Sequence, residues 1–474
     1  MPRNRPGGAR RRALAGAVLG VAACLDAPSG IAVAPPLPEI ASAAVRPGPH
    51  NVLSALVAVR TSHADSVVAW YRLDDSTAAT DSLTAAVTLA GDSAMIPVLG
   101  LLPGSRYRLG AIAYGPGGLT RGAPLTFTTD TLPSDLPRYT AGGPDPTPGF
   151  VVFAAGRYGL VIDNDGRVVW YRRFEFGPGL NFQVQPTGSY YVRPPTPDPI
   201  DREPWLELDA LGTVTRAFGC ANGLQPRFHD LIARTDGSYW IMCDETRTMD
   251  LTAVGGVANA QVMGTVVQHV SAAGVLLFQW SPFDHFALTD LDAASRAGSS
   301  VNWTHGNALD LDADGNLFVS FRSLSEITKI DGRTGRVLWR MGGPRNAFVF
   351  AGAALPTFSR QHGLRLTGQD RFVLLDNLGD STASRAERYV FDEAARSVRQ
   401  VGAYESAPAV TALLGGTTQQ LPRGRVLVAY GNGGRVEEYD PSGQVVWRIE
   451  GDPGYVFRAQ RIQSLYHPGV GSPR

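Results

Sequence analysis

Short runs in which apolar and polar residues alternate recur along almost the whole chain, each closed by a turn rich in Asp, Gly, Asn or Ser. Alternation with a period of two marks a strand with one buried face, and helical spacing of apolar residues is nearly absent. From about Gly149 to Tyr466 the runs follow a repeating order: a turn, then a strand that often ends in Trp. Asp163-Asn164-Asp165-Gly166 precedes Val168-Val169-Trp170, Asp331 to Gly335 precedes Val337-Leu338-Trp339, and Asp440-Pro441-Ser442-Gly443 precedes Val445-Val446-Trp447. Further copies are Asp209 to Val214, Ser271 to Leu277 and a degraded Asp392 to Val398. Another strand pair comes before each turn, as in Leu317 to Phe321 and Glu326 to Ile330. Four strands per unit and six units predict an all-β fold, a six-bladed β-propeller over 149–474. A solenoid of the same units would need polar caps at its ends, and no such caps are evident.

Upstream, 46–131 reads as a small β-sandwich of fibronectin type III-like spacing, with strands at Asn51 to Val59, Val67 to Arg72, Gly100 to Arg108 and Thr126 to Thr129. A Pro-rich linker is predicted over 132–148 and an Ala/Pro-rich tether over 24–45. Residues 1–23 carry Arg3, Arg5 and Arg10 to Arg12 with no acid, then an apolar stretch from Ala13 to Ala23 too short to span a membrane. That is the plan of a secretory signal. Its end, Val21-Ala22-Ala23-Cys24, resembles a bacterial lipobox, which makes Cys24 the expected lipidation site and the mature chain an exported, membrane-anchored lipoprotein of the periplasm or cell envelope.

Charge excludes one class of partner. The chain of 474 residues is formally neutral and turns slightly acidic once the leading arginines are removed. It carries no basic patch of the density that nucleic-acid binding requires. After Cys24 only Cys220 and Cys243 remain, too few for a cysteine-ligated structural metal. In an oxidising compartment they either pair or lie as two separate buried thiols.

The repeat gives three of the eight histidines a common position. His229, His305 and His362 each open a segment that runs into a strand, and these segments would be the inner strands of blades three, four and five. Inner strands line the axis of a propeller, so the three rings should meet at one channel mouth. His50, His63, His269, His285 and His467 lack this correspondence and read as surface or packing residues. Three imidazoles permit either a metal site with an open position or nucleophilic and acid–base catalysis on an anionic substrate. Arg322, directly after Leu317 to Phe321, read as the inner strand of the His305 blade, favours the anion, because a guanidinium repels a metal cation and can hold an oxyanion bidentately. Asn307, on the same strand face as His305, could donate an amide hydrogen bond to that oxyanion. Phe228, Trp303 and Tyr430 are candidate walls for an aromatic substrate, with core packing as the alternative for each.

His229-Asp230, His305-x-Asn307, Arg322 and Gln361-His362 together resemble the bacterial arylsulfate sulfotransferases, and the resemblance covers essentially the mature chain. It implies an exported six-bladed propeller with an N-terminal β-sandwich that moves a sulfuryl group from a phenolic sulfate donor to a phenolic acceptor. It implies His362 as the nucleophile, a sulfohistidine intermediate, ping-pong order and no cofactor or metal. His229, His305, Asn307 and Arg322 would bind the sulfuryl oxygens, with one of the first two histidines as general acid/base. The lipid anchor and the fibronectin-like N-terminal unit depart from the family pattern. Two other functions are compatible with the residues: a non-catalytic propeller that binds a ligand or protein partner, and a zinc hydrolase.

Overall fold

The computed structural model describes residues 34–77, 80–195, 204–351, 358–378, 383–451 and 453–468. The signal segment, Cys24 and the first part of the tether lie outside these residues. The described chain is almost entirely β, organised as antiparallel sheets.

Two sheets form the N-terminal unit. One pairs Glu39–Pro47 with Ala55–Ser62 and that strand with Ser93–Val98; the other is centred on Ser66–Leu73 and Arg106–Gly115. Their inner faces enclose a core of Val57, Val59, Val67, Ala69, Ile96, Leu109 and Phe127. The first strand corrects the expected tether: Glu39–Pro47 is ordered sheet, so the unit begins before residue 46. Alanine-rich composition masked it, because Ile40 and Val45 are the only large apolar residues that it offers to the core.

Six further sheets follow, each of four or five strands. The six turn signatures all join the last two consecutive strands of a sheet, with Asp163, Asp209, Ser271, Asp331 and Asp440 opening tight hydrogen-bonded hairpins. In the degraded copy Arg396 takes the left-handed conformation (φ 51°) that glycine adopts in the others. The recurrent Trp has a physical role in two of its three copies, Trp339 Nε1 being without a partner. Trp170 Nε1 donates to the Ala210 carbonyl and Trp447 Nε1 to that of Asn164, 2.8 Å in each case, so each indole ties its own sheet to the turn of the next.

The innermost strands are linked in a closed circuit. Gln185 donates to the Leu231 carbonyl (2.7 Å), Asp230 accepts from Leu309 N–H (3.0 Å) and Asp310 accepts from Leu366 N–H (2.9 Å). Thr418 then donates to the Gly363 carbonyl (3.2 Å), Gln419 accepts from Arg461 N–H (2.7 Å), and Gln460 accepts from Val184 N–H (2.8 Å), returning to the start. The chain ends lock the ring. Ala459–Ile462, near the C-terminus, is the inner strand of the first sheet beside Phe150–Ala155, and Tyr139–Gly142 forms the outer edge of the last sheet on Val445–Gly451. This second strand corrects the expected linker over 132–148, part of which is sheet. The N-terminal unit is docked rather than tethered: Leu53 and Leu99 enter the cores of the sixth and first sheets, and Leu99 N–H donates to Tyr466 Oη at 3.3 Å.

Candidate active site

Each histidine sits beside a bulge in an inner strand. Pairing is interrupted between Pro226 and Leu231, between Gly306 and Ala308, and between His362 and Arg365. A bulge leaves residues free of the ladder and turns their side chains out of the sheet, here toward the axis. His305 itself has φ 47° and Arg360 φ 55°, conformations that non-glycine residues adopt at a cost. The glycine after the nucleophile candidate is required: Gly363 has φ 62°, and a Cβ there would lie 2.5 Å from Thr417 Cα.

The three histidines converge as expected, with one ring nitrogen from each within 4.8 Å of the others. Ring centroids of His229 and His305 are 5.0 Å apart, and those of His229 and His362 are 6.4 Å apart. Their outward-facing nitrogens have different partners, which sets their tautomers. The Asn377 amide gives its N–H groups to the carbonyls of Ala412 (2.7 Å) and Gly415 (2.9 Å), leaving Oδ1 to accept from His362 Nδ1 at 2.8 Å. His362 therefore carries its proton on Nδ1 and a bare lone pair on Nε2. His229 is the reverse: Arg227 Nε, which can only donate, lies 3.0 Å from His229 Nδ1, so the proton of the neutral ring is on Nε2. His305 Nδ1 lies 2.6 Å from the Asn302 amide, which can present either a donor or an acceptor, so this ring alone can change tautomer.

Burial and cations keep all three rings neutral. His362 is pulled down to about 4, chiefly by burial, against the support of Asn377, with Arg322 pushing the same way as burial. His229 and His305 lie well below the ordinary imidazole range, first through burial and then through Arg227 and the neighbouring rings. Arg227, Arg322 and Arg360 all bear on the cluster. Leu317–Phe321 proves to be the second strand of its sheet, with Gly306–Leu311 inside it, and Arg322 is positioned by the hairpin between them, its N–H donating to the His305 carbonyl at 3.0 Å. One guanidinium nitrogen donates to Leu413 O at 3.1 Å, whereas its buried Nε has no protein partner. Three imidazole nitrogens at this spacing could hold a metal ion, but the guanidinium charge and the fixed Nε2–H of His229 oppose a cation and suit an oxyanion.

Asn307 differs from its expected role. Its Nδ2 donates to the Gln361 carbonyl at 2.7 Å, so it anchors the residue before His362, with only its second amide hydrogen left for an oxyanion. Asp230 is equally structural, accepting from Leu309 N–H and pairing with Arg365 (2.9 Å) and Arg458 (3.3 Å). Of the candidate aromatic walls, Phe228 stacks on His229 at 4.0 Å. Trp303 and Tyr430 are core residues, against Phe283 and Tyr439 respectively. His269 and His285 stack on Trp240 and Trp280, away from the site, as packing residues.

Sequence reasoning missed Arg227, Arg360, Asn377, Phe457 and Tyr455. Phe457 sets its ring edgewise to His229 and His362 at 5.7 and 6.4 Å, and Tyr455 lies close enough to Arg322 to feel its charge. Arg227 was legible, two residues before His229 on one strand face. The others come from loops and strand ends that carry no repeat signal. Cys220 and Cys243 are bridged, which settles the alternative left open by the sequence.

Residues 225–452 match the family model described as Arylsulfotransferase (ASST), which supports the arylsulfotransferase family. No curated protein matches the chain. Similar solved structures include a protein of unknown function from Bacteroides caccae, with 12% identity over 66% of this chain and 98% of that one and a TM-score of 0.43. A streptogramin B lyase has 11% identity over 70% and 90% with a TM-score of 0.36. Virginiamycin B lyase from Staphylococcus aureus has 9% identity over 65% and 74% with a TM-score of 0.32. Likenesses this distant bear on neither the site nor the substrate.

Proposed function

With the arylsulfotransferase family as premise, we propose that the protein moves a sulfuryl group from a phenolic sulfate ester to a phenolic acceptor in ping-pong order through a sulfohistidine at His362. One observation carries this reading: a bare imidazole nitrogen on His362 faces N–H donors and an arginine with an unpartnered nitrogen. His362 Nε2 attacks sulfur, the N–S bond forms, and the ester S–O bond breaks with the aryl oxide departing. Asn377 holds the Nδ1 proton and supports the positive charge that the ring acquires. Arg322 and His229 donate to the sulfuryl oxygens, where charge is redistributed in the transition state. The donor aryl group leaves as the oxide, which takes its proton from solvent; in the second half-reaction neutral His305, the ring able to switch tautomer, accepts the proton of the attacking phenol and passes it to solvent. Phe228, Phe457 and Tyr455 offer aromatic surface beside the rings.

The six sheets are read as the blades of a six-bladed propeller, and the N-terminal unit as a fibronectin type III-like sandwich. Export and anchoring through a lipidated Cys24 complete the proposal, placing the enzyme in the periplasm or cell envelope.

The test is incubation with p-nitrophenyl sulfate, with and without phenol and with and without EDTA. A burst of nitrophenol stoichiometric with enzyme, transfer to phenol, a base-stable and acid-labile sulfated protein, and insensitivity to the chelator are expected. His362→Ala should lose burst and transfer together; full transfer by that variant would refute the assignment.

A further inference from the structure

The third sheet holds an ion pair behind His229 whose acidic member, Asp244, has no part in the reaction as described. Arg227 is buried, with 4% of its side chain exposed, and its guanidinium joins two groups: Nη1 to the Asp244 carboxylate and Nε to His229 Nδ1 at 3.0 Å. Asp244 lies on Tyr239–Met249, the strand paired with the one that carries His229, in register with Gln225. Its neighbour Cys243 pairs with Pro226 and is bridged to Cys220, so the backbone on both sides of the ion pair is stapled at the point where the bulge begins. A buried guanidinium without an acid would be costly. Asp244 offsets that cost and aims Nε at the ring.

We propose that Arg227, anchored by Asp244, is a positioning residue that holds His229 permanently as an Nε2–H donor to the sulfuryl oxygens. This inference rests on the sulfuryl-transfer reading of the same site. The geometry leaves His229 no alternative. A protonated Nδ1 would set two donors against each other, so the imidazolium is disfavoured and the Nε2–H proton is held in place. His229 thus serves as an oxyanion donor and His305 is left as the proton carrier. The groups facing His229 agree in sign: Arg227 from its own strand, His305 and Arg322 from the fourth sheet and His362 from the fifth all disfavour its cation. Arg458 of the first sheet reaches its carbonyl at 3.4 Å, and Asp230 beside it is paired with Arg365 and Arg458.

The test uses the whole protein labelled with 15N-histidine, with Arg227→Met and Asp244→Asn as variants; the second keeps shape and removes only the anchoring charge. Long-range 1H–15N spectra between about pH 5 and 8, where an ordinary imidazole titrates, report tautomer and protonation without any turnover. In the wild type His229 should remain the Nε2–H tautomer throughout. In Arg227→Met it should become a tautomer mixture and begin to protonate at higher pH, with Asp244→Asn moving the same way by less. In the transfer assay the burst rate should fall about 10- to 100-fold, with donor KM changed less and the acid limb of the pH profile moved upward. An unchanged His229 tautomer in both variants, or variant pH profiles that coincide with the wild type, would overturn the proposal. A tautomer response in a protein that transfers no sulfuryl group would instead sink the function and leave the positioning geometry standing.

Discussion

At His362 the decisive contact is the one behind the ring. Asn377 is fully buried and makes three hydrogen bonds, so its orientation is fixed by the Ala412 and Gly415 carbonyls rather than by the histidine it serves. Asn377→Leu should therefore lower the burst rate by at least about 100-fold through loss of the correct tautomer, the order seen when a histidine loses its orienting partner. It should also cost about 1–3 kcal/mol by stranding the buried Gly415 carbonyl, whereas that of Ala412 keeps Ser384 Oγ as a donor at 3.3 Å; stopped-flow and urea unfolding would measure these separately. The depressed imidazoles also set a pH dependence of stability. His362 titrates at about 4 when folded and near the ordinary 6.5 when unfolded, so the unfolded chain binds more protons between those values. The stability contributed by the neutral ring is complete above pH 6.5 and falls as pH is lowered toward 4. Because one pKa unit corresponds to about 1.4 kcal/mol, the loss is on the order of 3 kcal/mol. Urea unfolding across that range should show a shallower acid slope for His362→Gln than for the wild type.

Among the elements, the inner strands do more than line an axis. Their bulges turn side chains inward, and the strand that follows each one brings the next layer: Asp244 lies within Tyr239–Met249, and Arg322 and Asn377 directly follow Leu317–Phe321 and Arg371–Asp376. The motif His362-Gly363 reflects this packing, because only glycine tolerates both the φ and the approach of Thr417. Gly363→Ala should cost at least about 2 kcal/mol and reduce transfer even at temperatures where the fold is intact; circular dichroism melts with parallel assays would show it. The Cys220–Cys243 bridge spans a sequence separation of 23. Replacing both cysteines by serine should lower stability by about 3 kcal/mol, with raised hydrogen exchange concentrated in the segment leading into Arg227.

In the whole molecule, closure is the governing fact. The first sheet owes its inner strand to Ala459–Ile462, whose Arg461 is fully buried against Glu438 at 2.6 Å. Truncation before residue 459 should leave Glu438 with only Arg425 and Thr147 as partners and open one sheet at the axis, so the entire ring should lose cooperative unfolding rather than one unit fraying. A calorimetric scan would distinguish these outcomes. Docking of the N-terminal unit through Leu53, Leu99 and Tyr466 predicts that the same scan finds it unfolding with the ring.

Local pattern alone was enough for much of this. Alternation identified the strands, the Asp/Gly turns marked six hairpins, and the common position of His229, His305 and His362 foretold that they would meet. Each of these is written in neighbouring residues, which is why they were legible. The tertiary structure decided what depends on distant partners. Strands from opposite chain ends close the ring, and Glu39–Pro47 and Tyr139–Gly142 are sheet despite compositions that read as tether and linker. Above all, Asn377, Arg227 and Asn302 differ in what they offer an imidazole nitrogen, and that difference gives three similarly placed histidines different tautomers, on which the proposed roles of nucleophile, fixed donor and proton carrier rest. A hydrogen-bond partner supplied across a bulge or from another loop leaves no periodic trace in a sequence, so only the folded chain can assign it.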